Sequence, residues 1–180
     1  MTPLTLGTLV AGPALDRPEL LAAPVREALT GLAESREVGV VEIDPALADT
    51  AALTAACELP LGASANCVVV MGRRDGEERL AACVVAADTR ADVNTTVRRL
   101  LDVRKASFLS MERAVEESGM EYGGITPVGL PTHWRLLVDS RLLDVEVVII
   151  GSGVRRSKLL LPGRVLACLP GAEVVEGLGV

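Results

Sequence analysis

Residues 104 to 131 read RKASFLSMERAVEESGMEYGGITPVGLP. Ala106 to Leu109 has the character of a short strand. Ser110 stands where a helix N-cap is expected, and Gly119 is the matching stop signal. The segment that follows, Glu121 to Pro131, concentrates Gly123, Gly124, Pro127, Gly129 and Pro131. Glycine lets a backbone come close to a ligand, and proline fixes φ and withholds an N–H. The segment therefore reads as a rigid irregular loop with exposed amide donors, unsuited to a helix interior or a central strand.

Working outward, short strands alternate with helices. Residues 1 to 17 read as an N-terminal strand and turn broken at Gly12 and Pro13. Residues 18 to 34 are helical in spacing, with Pro18 suited to the first turn and Pro24 marking a kink or a late start. Val38 to Ile43 is a strand, and Asp49 or Thr50 caps a helix over Ala51 to Leu59. Asn66 to Met71 and Leu80 to Ala86 form a hairpin about Asp75-Gly76. Asp92 caps a helix reaching Asp102. Beyond the central loop, Leu136 to Asp139, Glu146 to Ile150 and Lys158 to Leu161 are strand-like, and Pro162 opens a last helix. This order is not a regular βαβ series, so the class is mixed α/β or α+β rather than a doubly wound sheet.

The chain has 180 residues, a length that suits one domain with its own core. Phe108, Tyr122 and Trp134 are its only aromatics, so that core is aliphatic. No apolar run reaches the roughly 18 residues that span a bilayer, and the N-terminus lacks the basic and apolar regions of a secretory signal. Cys57, Cys67, Cys83 and Cys168 are isolated in apolar surroundings, the pattern of reduced, buried thiols in a cytoplasmic protein. With His133 the only histidine, neither a metal site nor another cofactor is expected.

Net charge is −6, against a generic nucleic-acid binder such as a DNA-binding protein. The excess lies in residues 1 to 60, with three Arg against nine acidic groups; the remainder carries fifteen of each sign. Basic doublets there, including Arg104-Lys105 and Arg155-Arg156 with Lys158 nearby, suggest a local face for an RNA backbone. No Ser-His-Asp set, nucleophile elbow or P-loop is present. Ser152, between Gly151 and Gly153, is a pocket-rim candidate without an evident base.

The run from Arg104 to Pro131 resembles the YbaK/EbsC family, the aminoacyl-tRNA editing domains related to the insertion domain of bacterial prolyl-tRNA synthetase. The family's GxxxP signature falls on Gly123 and Pro127, and the resemblance extends from about Thr50 to Gly171. It implies a single domain over 1–180, with 1–36 as an N-terminal extension. The implied sheet is mixed, largely antiparallel and barrel-like, with flanking helices. It also implies a trans-acting deacylase that hydrolyses mischarged aminoacyl-tRNA with help from the substrate, serving translation fidelity. The implied partners are tRNA and an aminoacyl-tRNA synthetase.

On that resemblance the site comprises Asn66, Gly123, Gly124, Ile125, Thr126 and Pro127, with Gly129, Asp139, Gly151, Ser152 and Gly153 facing the substrate. Arg104, Lys105, Arg155, Arg156 and Lys158 would meet RNA. Amides from Gly123 to Thr126 would serve a developing oxyanion. Asp139 would hold the substrate amine or pair with Arg135. One departure stands out: the family carries a lysine where this chain has Asn66, which offers an amide and no charge. Two alternatives follow, a degenerate editing domain that only binds, and an unrelated small-molecule binding domain.

Overall fold

The computed structural model describes residues 3–180, so the first two residues of the predicted N-terminal strand lie outside the described residues. Leu4–Leu6 (β1) and Leu9–Pro13 (β2) form a hairpin turning at Gly7 and Thr8. The predicted single strand is thus two. Gly12 and Pro13 do not break it; they pair with Val40 and Gly39 of Gly39–Glu42 (β3). This works because Pro13 ends its strand, where no ladder N–H is needed.

Ser157–Leu161 (β9) pairs with β3, and Val148–Gly151 (β8) pairs with β9, giving the order β1-β2-β3-β9-β8. Ala65–Arg74 (β4) and Glu77–Ala86 (β5) form the expected hairpin, with Asp75 and Gly76 both at positive φ. Ala106–Phe108 (β6) lies on the outer edge of β4, and Arg135–Asp139 (β7) runs parallel to β5. Ala172–Val175 (β10), missed in the sequence, joins β7 in parallel. This second sheet has the order β10-β7-β5-β4-β6. All other strand pairings are antiparallel. A bridge between Ser64 and Ile149 brings the start of β4 against β8. The result is a mixed α/β fold with a curled, largely antiparallel half-barrel and flanking helices.

Ala23–Gly31 (α1) starts late, with Pro24 in its first turn, and Pro18–Leu20 forms a separate 3₁₀ turn. Thr50–Cys57 (α2) is capped by Asp49, whose carboxylate accepts from the amides of Ala51 and Ala52 at 3.0 and 3.2 Å. Asp92 caps in the same way, but Val93–Val97 forms a π turn before the short α-helical Arg98–Leu100 (α3). Met111–Ser118 (α4) ends at Gly119 as expected, although Ser110 makes no side-chain cap bond. Beyond Pro162 the chain takes a 3₁₀ turn over Gly163–Cys168 in place of the predicted helix.

The aliphatic core forms three clusters. Leu80, Ala82 and Val84 face one, and Ala81, Cys83 and Val85 face another, so β5 is covered on both sides. On β9, Leu159 and Leu161 join the largest cluster while Leu160 meets Ile43, Leu53 and Ile149. Strand alternation puts Lys158 on the Leu160 face, toward the start of α2. Of the thiols, Cys57 and Cys83 are buried, but Cys67 is half-buried and Cys168 exposed, contrary to the reading of four buried cysteines.

Candidate active site

Where β4 meets β8, the walls do not close. A cavity of about 450 Å³ opens there, lined by the start of α2, the first residues of β4, the ends of β8 and β9, and the loop after α4. Its polar groups are Asp49, Thr50, Ser64, Asn66, Arg155 and Lys158; Leu53, Val68, Ile125, Ile149 and Ile150 give it an apolar body.

The glycine loop is pinned to the end of β8. Gly153 donates to Gly124 O at 2.8 Å, and Glu121 donates to Gly153 O at 2.8 Å. A Cβ on Gly151 would sit 2.4 Å from Gly124 O, so this approach requires glycine. Gly123 holds φ at +77°, again a glycine conformation. The amide of Gly124 is spent on Glu121 O. Those of Gly123, Ile125 and Thr126 donate to no acceptor among the described residues. Arg155 braces the loop, donating to Tyr122 O at 3.1 Å and to Pro45 O at 3.3 Å, with its guanidinium 5.5 Å from the centre of the Tyr122 ring.

Asn66 lines the cavity, and its Oδ1 accepts from the Thr50 hydroxyl at 2.9 Å. With the hydroxyl as donor, Nδ2 is left without an acceptor among the described residues. Lys158 reaches the same cavity. It is only 7% exposed, its Nζ donates to Ala48 O at 2.9 Å, and it forms no ion pair among the described residues. Burial lowers its pKa below the ordinary lysine value; Asp49 acts in the opposite sense, and Arg155 adds to the lowering. Lys158 is therefore a pocket residue and not the surface RNA contact expected from the doublets around it.

Two hydroxyls, Ser64 Oγ and Thr126 Oγ1, are buried without a hydrogen-bond partner among the described residues, and Ser64 lines the cavity. Cys67 also lines it, but burial pushes its thiol far above the ordinary range, so it is no nucleophile at neutral pH. Among the described residues no group of histidine, cysteine and acidic side chains could hold a metal.

The structure brings Asn66, Gly123, Ile125, Gly151, Arg155 and Lys158 to one cavity. Gly124, Thr126 and Pro127 are buried behind the loop, and Gly129, at φ +81°, backs onto Pro24. Ser152 is no rim residue; it is wholly buried, its hydroxyl 2.7 Å from Ser157 Oγ, and Gly153 is spent on pinning the loop. Asp139 lies outside the cavity lining. It does not hold Arg135, which pairs with Glu173; instead it binds Arg141 at 2.7 Å and the amide of Gly179 at 2.7 Å. Arg156 is exposed and donates to Glu19 O, while Arg104 and Lys105 line a separate cavity. Sequence reasoning did not find Thr50 and Ser64 as cavity residues, and it assigned Lys158 to RNA without deciding whether it reaches the pocket. The available signal was Lys158 itself, a lone charge in a strand that is otherwise apolar after Ser157.

The model of the aminoacyl-tRNA editing domain matches residues 44–168, which include every cavity residue. The chain belongs to the aminoacyl-tRNA editing domain family. Solved structures share its fold. A candidate trans-editing enzyme for prolyl tRNA synthetase is 24% identical, with a TM-score of 0.72 over 86% of this chain and 94% of that one. A hypothetical protein is 22% identical, with a TM-score of 0.75 over 87% of this chain and 99% of that one. The editing-domain match ends before β10, and it begins after β3, so β1 to β3 and α1 are additions to the matched segment.

Proposed function

We propose that this editing domain is a trans-acting hydrolase that cleaves the ester of a mischarged aminoacyl-tRNA in the cytoplasm. The carrying observation is the buried ammonium of Lys158, which forms no ion pair among the described residues, in one cavity with Asn66 and with Gly123 and Ile125 of the glycine loop. The family lysine is absent at position 66, and β9 supplies a cation to the same cavity from another strand.

In this reading the aminoacyl ester enters with its side chain against Ile125, Ile149 and Ile150. Water, oriented by the vicinal ribose hydroxyl, attacks the carbonyl carbon. The carbon–ribose oxygen bond breaks, and the proton from water ends on the ribose oxygen. Negative charge develops on the carbonyl oxygen, where preorganised amide donors and a nearby cation would stabilise it. One well-placed donor lowers such a barrier by about 3–4 kcal/mol. No protein nucleophile is required.

The neutral Asn66 favours a second reading, a degenerate module that binds aminoacyl-tRNA without cleaving it. Incubation of the protein with a panel of mischarged tRNAs separates the two. Release of amino acid from at least one species supports the hydrolase; tight binding of that panel with no release supports the binder.

A further inference from the structure

An aminoacyl ester brings two charges to a site that cleaves it. One is the negative charge that develops on the carbonyl oxygen. The other is the α-ammonium, protonated below a pKa of about 8 and bonded to the carbon next to that carbonyl. The cavity offers Lys158 and Asn66 for the first. For the second, Asp139 is excluded, because it lies outside the lining and is committed to Arg141 and the Gly179 amide. Glu121, at the start of the glycine loop, is also outside the lining, and its Oε2 accepts from the Arg155 amide at 2.7 Å. Among the described residues the one acid that lines the cavity is Asp49.

Asp49 is held in a particular way. Its Oδ1 takes both cap amides, those of Ala51 and Ala52, which fixes the carboxylate on the end of α2. Its Oδ2 accepts no hydrogen bond and the residue forms no ion pair among the described residues. Asp49 is exposed, so a ligand in the cavity can reach it. Its sequence neighbours hold the two groups offered to the oxyanion: Ala48 O accepts from Lys158, and Thr50 donates to Asn66. The charge of Asp49 is felt at Lys158, where it favours the protonated form. Neither nearby cation is spent on it, since Lys158 donates to Ala48 O and Arg155 to Tyr122 O and Pro45 O. The turn before α2 thus presents a carboxylate and an ammonium side by side, opposite in sign to the α-ammonium and the oxyanion.

We infer that Asp49 Oδ2 binds the α-ammonium of the aminoacyl group, and that the site therefore selects esters with a free amine over N-acylated ones, peptidyl esters included. The inference rests on the hydrolase reading for the identity of the occupant. N-acylation removes the positive charge and two of the three N–H donors, and it leaves the carboxylate facing a neutral amide. A helix cap alone does not need the charge, because asparagine caps as well as aspartate. The charge is the part of Asp49 that the substrate reads.

The test is calorimetric titration with 3′-deoxy-3′-aminoacylamidoadenosines carrying alanine or valine, whose amide link replaces the ester, each with a free and with an N-acetylated amine. The wild type binds the free-amine form roughly ten-fold tighter, the scale of a charged hydrogen bond at an exposed carboxylate. Asp49→Asn, which keeps the cap and removes the charge, abolishes that preference while circular dichroism and the urea midpoint show the fold retained. The N-acetyl form is the reference within each protein, so any change that Asp49→Asn causes at Lys158 cancels in the ratio. No binding of either form, equal binding of both, or the same preference in wild type and Asp49→Asn overturns the amine site. A preference that Asp49→Asn abolishes, in a protein that releases no amino acid from any mischarged tRNA, leaves the amine site standing and removes the hydrolase. Cleavage of free and N-acetylated aminoacyl-tRNA at equal rates keeps the hydrolase and removes the amine site.

Discussion

Lys158 and Asn66 are held by one turn: Lys158 Nζ donates to Ala48 O, and Thr50, two residues on, donates to Asn66 Oδ1, both at 2.9 Å. The turn that starts α2 thus sets the ammonium and the amide relative to each other. Asp49, between them, accepts the cap amides through Oδ1 and forms no ion pair with the ammonium among the described residues, though its charge favours the protonated lysine.

From this geometry Asn66→Ala removes an oriented donor and should lower single-turnover deacylation on the order of 10²-fold if that amide meets the oxyanion. Thr50→Val frees the amide to rotate and should lower it less. A rate in Asn66→Ala equal to wild type would take Asn66 out of the site.

Ser64 should show a stability–activity conflict. Its buried hydroxyl has no partner among the described residues, and an unsatisfied buried polar group costs about 1–3 kcal/mol. Ser64→Ala should therefore raise the urea midpoint while reducing deacylation, if the hydroxyl is kept for the substrate. Equilibrium unfolding and single-turnover kinetics on the same preparation check both halves.

Asp139 should matter for stability alone. Burial works against its ionised form, but Arg141 and the amides of Arg141 and Gly179 hold its pKa below the ordinary carboxylate value. A depressed pKa gives stability that is present above the unfolded value, near 3.8, and lost as pH falls through the folded one. Asp139→Asn should cost about 1.5–3 kcal/mol at pH 7, the range for hydrogen bonds to a charged group, and the gap should narrow in acid. A gap independent of pH would contradict this.

Much of the fold was legible because local chemistry agreed with the final structure. Asp75-Gly76 specified a hairpin, Asp49 a cap and Gly119 a stop, and each does so here. The N-terminal hairpin was missed because Gly7 and Thr8 looked like part of one alternating run. β10 was missed because its four residues are defined by pairing with β7, a partner 36 residues back in register. The site was half legible. The glycine loop announces itself, but Lys158 could be placed only by knowing that β9 is central, covered on both faces, with its even positions turned toward α2. Asp139 misled for the opposite reason: its partners, Arg141 and the Gly179 amide, include a segment of chain that no local pattern brings to it.

Lys158 carries a pH signature in stability as well. Its folded pKa lies below the ordinary value of 10.5, so the unfolded chain binds the proton more tightly. The buried charge is a destabilising contribution, present below the folded pKa and relieved as pH rises toward 10.5. Unfolding midpoints of wild type and Lys158→Met, taken from pH 7 upward, should converge as the lysine loses its charge. Midpoints that stay parallel would show that the ammonium is not strained by its burial.

The most direct measurement is single-turnover deacylation of one responsive mischarged tRNA by wild type, Lys158→Met, and the exchange variant Asn66→Lys/Lys158→Met. The account predicts a loss on the order of 10²- to 10³-fold in Lys158→Met, with the fold retained, and substantial recovery when the ammonium is returned to the cavity from position 66. A Lys158→Met protein that releases the amino acid as fast as wild type would contradict it.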